Sequence, residues 1–265
     1  MIVLANIYAI FRKELQSYFA SPLAYVVAGV FWLISGAVFV FLLLSDQGIL
    51  QEIATNEQYG VPMSPIDVPY IFLVRFLSVI GSITSFILPL LSMGLYAEER
   101  KSRTLELLAT SPITNWVVAL GKLLGVVTFY ITLLVPLLLY EAIALSRADP
   151  PVPPAVPLTA HLGLILLAAS LLSLGMFISS LTNSSLIAAI LTFALIIFLG
   201  ILDIIANSLP QPLGAILNHL SLIKHYDTLV QGVLDSSSLV LFASYIILGI
   251  FLTAQSIEAL RFQRS

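Results

Sequence analysis

The chain has no cysteine among its 265 residues, so a disulfide framework, a thiolate metal site and a cysteine nucleophile are all excluded. Charge is also scarce. Only 9% of residues are Asp, Glu, Lys or Arg, where a soluble domain carries roughly 25%. So few charges do not build a hydrated shell around a soluble core of this size, and much of the surface must face lipid. The net charge is −3 with no long basic tract, so the electrostatic footprint of a nucleic-acid binder is missing. The three histidines, His161, His219 and His225, stand apart from any acidic cluster and lack metal-ligand spacing, and His161 and His219 read as isolated interfacial residues. There is no Gly-x-Ser-x-Gly elbow, no His-Glu-x-x-His and no Asp-rich metal motif, which argues against a membrane-embedded enzyme. A phosphate-cradling loop is missing too: Gly121-Lys122 is followed by Leu123, without the Ser or Thr and the glycine-rich approach such a loop needs.

What the chain has is apolar length: 59% of it is hydrophobic. A helix needs about 20 apolar residues to cross the hydrocarbon core. Six stretches qualify, roughly 23–44, 71–96, 117–145, 161–181, 185–206 and 238–258. The expected fold is all-α, a polytopic membrane protein with six transmembrane helices forming one domain over 23–265 after an interfacial segment at 1–22. In that segment Leu4, Ile7, Tyr8, Phe11, Leu15, Tyr18 and Phe19 recur at helical spacing, while Arg12, Lys13 and Gln16 lie on other faces. This predicts an amphipathic helix in the interface plane, and Ser21-Pro22 starts the first span. The N-terminus does not read as a cleavable signal, because Arg12 and Lys13 follow a short apolar start with no small-residue cleavage site.

The connections differ in character. Segment 45–69 is acidic and has no Lys or Arg. Segment 146–160 is proline-rich and predicts an extended loop. Thr182-Asn183-Ser184-Ser185 is short enough to join spans four and five as an antiparallel hairpin. Residues 207–236 are too apolar for an exposed loop, and Pro210, Pro212, Gly214 and Gly232 break them too often for a span. They predict a re-entrant segment of short helices, which is tolerated at membrane depth only where it is buried in protein or lines a cavity; helices lying flat on the outer surface are the other reading. Pro89 and Pro136 fall inside spans and kink them, either as hinges or as static bends.

Eight of the eleven Lys and Arg (Arg12, Lys13, Arg100, Lys101, Arg103, Lys122, Arg261 and Arg264) share one side if both termini are cytoplasmic; Arg147 and Lys224 lie outside, and Arg75 near the outer end of span two. The positive-inside rule selects that orientation. Arg75, Glu141 and Asp203 then map to the outer third, where a charge costs less than at the bilayer centre. They form either a polar cluster at an outer gate or three separate snorkelling groups. Gly121-Lys122-Leu123-Leu124-Gly125 is a close-packing pattern within the chain or at a dimer seam, with Lys122 snorkelling to the cytoplasmic side.

The densest charge lies in segment 97–115: Glu98, Glu99, Arg100, Lys101, Arg103 and Glu106. Leu105, Leu108 and Ala109 predict the apolar face of a short helix, suited to a groove on a partner; a solvated loop that only sets topology is the alternative.

The string Glu98-Glu99-Arg100-Lys101-Ser102-Arg103-Thr104-Leu105-Glu106-Leu107-Leu108, followed by Ser111-Pro112-Ile113, resembles the signature of the ABC-2 family of transporter permeases. That family carries an acidic pair, basic residues, Gly-Thr-Leu-Glu and a nearby Pro. The resemblance extends to the interfacial helix, the six spans and the broken segment with His225 and Gly232-Val233-Leu234-Asp235. The nearest subgroup is the gliding-motility and nitrous-oxide-reductase accessory type. Arg103 departs from the pattern by standing where the family commonly has Gly, which tolerates positive φ far better. The resemblance implies a dimer of permease chains, homomeric or heteromeric, in a bacterial cytoplasmic membrane, with two copies of a separate ATPase that uses ATP and Mg²⁺. No cofactor is expected in this chain. Glu98, Glu99, Arg100, Lys101, Thr104, Leu105, Glu106 and Leu108 would couple ATPase movement to the spans for export. An ion-coupled secondary transporter needing no ATPase is the alternative, and mechanical work on the membrane is not distinguished from export.

Overall fold

The computed structural model describes residues 2–46, 48–58, 67–105, 113–146, 148 and 151–262. Among these residues the chain is helical throughout and contains no strand. The helices are α1 (Ile2–Ala20), α2 (Pro22–Leu44), α3 (Ile49–Gln58), α4 (Val68–Ser92), α5 (Gly94–Lys101), α6 (Asn115–Leu145), α7 (Ala155–Leu181), α8 (Ser185–Ser208), α9 (Leu213–Leu220), α10 (Leu222–Val230) and α11 (Ser236–Phe262). Six are long and apolar enough to cross a membrane: α2, α4, α6, α7, α8 and α11.

Contacts between the spans reveal an alternating course. Trp32 Nε1 donates to the Leu133 carbonyl at 2.9 Å, and Phe39 meets Tyr140 with ring centroids 4.9 Å apart, so α2 and α6 run in the same direction. Ser170 and Ser173 of α7 donate to the carbonyls of Phe242 and Tyr245, both at 3.2 Å, which makes α7 and α11 parallel. Thr84 bonds Tyr130 at 2.9 Å while Leu95 meets Lys122, so α4 and α6 are antiparallel. Spans one and three therefore run together against span two, and spans four and six run together, as successive crossings require.

α7 is the central helix, buried along most of its length, whereas α2 and α8 are peripheral. Small residues explain how so many neighbours reach α7. A Cβ on Gly175 would stand 2.7 Å from Ser92 Cβ, and one on Gly249 of α11 would stand 2.6 Å from Ser173 Cβ. Without a hydrophobic drive between helices in lipid, close approach and interhelical hydrogen bonds carry the packing.

Two boundaries differ from expectation. α7 begins at Ala155 rather than 161, because Pro154 has helical backbone angles and a proline at the first turn is compatible with helix. Span two is not continuous to 96. It breaks at Met93, four residues after Pro89, and resumes as α5. Segment 207–236 forms two short helices, α9 and α10, and Tyr226 of α10 reaches the Leu77 carbonyl of α4 at 2.5 Å.

Candidate functional site

The site lies at the end of the bundle where α1, α5, α6 and the C-terminal end of α7 meet. It begins with glycine. Gly121 and Gly125 lie on the face of α6 that receives α1. A Cβ at Gly121 would come within 2.8 Å of Ile10 Cβ, and one at Gly125 within 2.7 Å of Glu14 Cβ. Tyr18 continues the series by stacking on Phe129 with centroids 5.1 Å apart. The pairs 10–121, 14–125 and 18–129 advance by four residues on both helices, so α1 runs alongside α6 in the same direction. Its half-buried stripe is Asn6, Ile7, Ile10, Phe11, Glu14, Leu15 and Tyr18. Leu4, Tyr8 and Phe19, expected on the same apolar face, are exposed.

The register of α1 on α6 delivers Glu14 to Lys122. Lys122 does not snorkel away from the protein: its side chain is 4% exposed. Its Nζ donates to the Leu95 carbonyl at 2.8 Å, to Glu99 Oε1 at 3.0 Å and to Glu14 Oε2 at 3.2 Å. All three ammonium hydrogens thereby have acceptors. The Tyr96 ring lies 5.0 Å from the same nitrogen, within range of a cation–π contact. Lys13 adds a second cation 3.6 Å from Glu99 Oε1. Lys122 is the buried cation, balanced by Glu14 and Glu99, and the exposed Lys13 offsets the second negative charge from the rim.

A second tie holds α5 to α7. The helix is interrupted at Met93, and the amides of Tyr96 and Ala97 in the next turn point at α7. Ser179 Oγ of α7 accepts from both, each at 3.0 Å, and donates to the Met93 carbonyl at 2.7 Å. A side chain of α7 thus inserts at the helix ladder there. Arg100 Nη1 donates to the Ser180 carbonyl at 2.7 Å.

Two residues beyond the end of α5 stands Arg103, which has φ +59° and is the one non-glycine residue with positive φ among the described residues. The residue that replaces the expected glycine has taken up the glycine's conformation. Its amide donates to the Arg100 carbonyl at 3.3 Å, and the Ser102 and Thr104 hydroxyls donate to the Glu98 and Glu99 carbonyls at 2.9 and 3.3 Å. The orphan carbonyls of the helix end are thereby satisfied.

The charged segment therefore has two sides. Glu99, Arg100 and Leu105 point into the protein, and Leu105 is only 6% exposed. Leu105, expected on the face offered to a partner, packs into the chain's own core. Glu98, Lys101, Arg103 and Thr104 are exposed. Glu106 and Leu108 lie outside the described residues.

Of the outer-third candidates, Arg75 forms an ion pair with Glu52 at 3.2 Å, both side chains about half exposed. Glu141 is buried, with His161 Nε2 3.6 Å from its Oε2; the histidine read as isolated is thus beside an acid. Asp203 lies on α8, and its side chain is outside the described residues. A groove of about 560 Å³ opens between α4, α7, α8 and α10, lined by Val74, Ser78, Phe86, Phe193, Ile197 and Tyr226 among others.

Sequence reasoning missed Glu14, Tyr96 and Ser179 as parts of the site. The available signal was the Gly121/Gly125 pair, which marks a close helix contact but does not name the helix that fills it.

Among known proteins, the family described as "ABC-2 family transporter protein" matches residues 8–265. No curated protein matches the chain significantly.

Proposed function

Since this chain belongs to the ABC-2 transporter family, and so is the membrane permease of an ABC transporter, we propose that its α5 end receives a separate cytoplasmic ATPase and passes that subunit's nucleotide-driven movement into the spans. The observation that carries this reading is the two-sidedness of the charged segment. Its inner side is bound to α1, α6 and α7 through Lys122, Arg100 and Ser179, while Glu98, Lys101, Arg103 and Thr104 face outward. A segment tied to three helices moves as a unit with them, so a push on its outer side is delivered to the spans rather than lost in a flexible loop.

In this reading both termini and α5 are cytoplasmic, in agreement with the Lys and Arg distribution, and α1 is an interfacial helix. Two permease chains and two ATPases assemble, the ATPases use ATP and Mg²⁺, and transport is outward. The apolar groove beside α8 suits a hydrophobic or lipid-linked cargo. The gliding-motility and nitrous-oxide-reductase accessory type is the proposed subgroup.

The test uses the absence of native cysteine. Single cysteines at Lys101 or Arg103 are crosslinked in native membranes and the captured proteins identified. Capture of an ATPase at these positions, but not at Leu105 or Thr55, is expected. No ATPase captured at an accessible Lys101 or Arg103 would overturn the docking reading and favour an ion-coupled transporter.

A further inference from the structure

Glu141 and His161 sit far from the charged junction: Glu141 lies 19 positions beyond Lys122 on α6, roughly 28 Å along the helix axis. Glu141 is 2% and His161 5% exposed. Both carboxyl oxygens of Glu141 and Nε2 of His161 are buried without a hydrogen-bond partner among the described residues. Three unpartnered polar atoms thus meet at one contact between α6 and α7, with Nε2 and Oε2 3.6 Å apart.

The protonation of the pair follows from its surroundings. His161 Nδ1 is 2.8 Å from the Pro157 carbonyl oxygen, which only accepts, so Nδ1 carries a hydrogen. Nε2 is left facing the carboxyl group. With no further proton, a nitrogen lone pair opposes a carboxylate and a bare anion is buried. With two, a bare cation is buried. With one, the pair is neutral, and O–H···N or N–H···O satisfies both groups whichever atom holds the proton. Closing the gap to hydrogen-bond length takes about 0.7 Å, a side-chain adjustment.

We infer that Glu141 and His161 form a proton-binding site that takes up one proton, shared between Oε2 and Nε2, and that this proton joins α6 to α7 at the end of the bundle away from α5. Separating or hydrating that contact removes the reason for the shared proton, so proton occupancy and closure of this end are linked. The other charged or titratable groups on the surrounding elements do not supply the missing partner. Tyr226 of α10 donates to the Leu77 carbonyl, and Tyr140 of α6, next to Glu141 in the chain, has a buried hydroxyl that makes no hydrogen bond to the pair or to any other described residue. Tyr130, lower on α6, bonds Thr84 of α4. Asp227, beside Tyr226, and His225, which bonds Ser238 and the His219 carbonyl, lie on α10. Arg75 of α4 pairs with Glu52, and Tyr245 of α11 donates to the Leu220 carbonyl. α2 presents Phe39, which is uncharged. The inference rests on this geometry and not on docking of an ATPase, and it is tested without one.

The chain has three histidines, so ¹⁵N-histidine labelling of the purified full-length protein in lipid nanodiscs yields three imidazole signals. His161 is assigned by elimination with His219→Gln and His225→Gln. Its Nδ1 should stay protonated throughout, and its Nε2 signal should change in a single step as pH rises. Infrared bands of the carboxyl group, assigned by Glu141→Gln, should change at the same midpoint, because the loss of the shared proton is one macroscopic step of the pair and both groups report it. Glu141→Gln, which still donates to Nε2, should abolish that step. Should Glu141→Gln fail to fold, the imidazole signals of the histidine variants decide alone: an Nε2 that titrates as freely as a solvated histidine overturns the inference. So do separate carboxyl and imidazole midpoints, or a His161 step that survives in folded Glu141→Gln.

Discussion

At the scale of single residues, burial changes the meaning of a charge. Lys122 has two carboxylates and a backbone carbonyl as acceptors in a dry site. Removing one partner of such a cluster leaves the others uncompensated, so Lys122→Met should destabilise the chain by about 3–5 kcal/mol. Replacing the acids as well (Lys122→Met, Glu14→Gln and Glu99→Gln together) should restore most of that loss. Thermal unfolding in detergent measures both, and a triple variant no more stable than the single one would contradict this account. Arg75 and Glu52 form the opposite case. Both are about half exposed, so a double-mutant cycle should give a coupling of about 0.2–1 kcal/mol. Arg103 holds a backbone conformation that disfavours any side chain. Arg103→Gly should stabilise the folded chain by about 0.5–1 kcal/mol, the left-handed penalty less the entropy glycine adds to the unfolded chain.

At the scale of elements, the helix contacts depend on what is small or absent at the seam. Gly121→Leu would drive a side chain into Ile10, whose Cβ lies 2.8 Å from where the new Cβ stands. Overpacking of this kind costs about 1–3 kcal/mol, and the readout specific to it is undocking of α1. In a chain without native cysteine, a cysteine at Ile10 should become more reactive to a soluble maleimide in the Gly121→Leu background, and unchanged reactivity would count against the α1–α6 seat. Ser179 bridges the break between α4 and α5. Ser179→Ala removes an acceptor from the Tyr96 and Ala97 amides and a donor from the Met93 carbonyl, at about 1–3 kcal/mol for each buried group left without a partner. Protease cleavage within α5 should accelerate, with spans remote from the break protected as before.

At the scale of the whole molecule, α7 holds the bundle together. It touches α11 through serine hydroxyls, α4 and α8 at Gly175, and α10 at Gly163, where a Cβ would meet Leu229 Cβ at 3.0 Å. The peripheral helices α2 and α8 carry long rows of exposed apolar side chains, among them Leu33, Phe41, Ile187 and Phe198. Lipid covers such faces in a bundle that spans a membrane. Gly249→Leu in α11 strikes the central seam and should abolish a monodisperse folded chain in size exclusion, whereas Leu33→Ala on the exposed side of α2 should leave the elution profile unchanged.

The class of protein, the number of spans and the charged segment were legible in the sequence because each rests on a local property. Twenty apolar residues in succession, or six charges in nine positions, hold their meaning whatever surrounds them. Partnership was not legible. Lys122 read as a snorkelling residue because Glu14 stands 108 positions away in the chain. His161 read as isolated because the proline-rich segment and the first turns of α7 separate it from Glu141 in the chain. Leu105 read as part of a docking face because its apolar character does not say whether it packs against a partner or against its own bundle. Composition tells whether a side chain avoids water or carries charge; only the packing of helices distant in sequence decides which other group it meets and which end of the molecule is left facing outward.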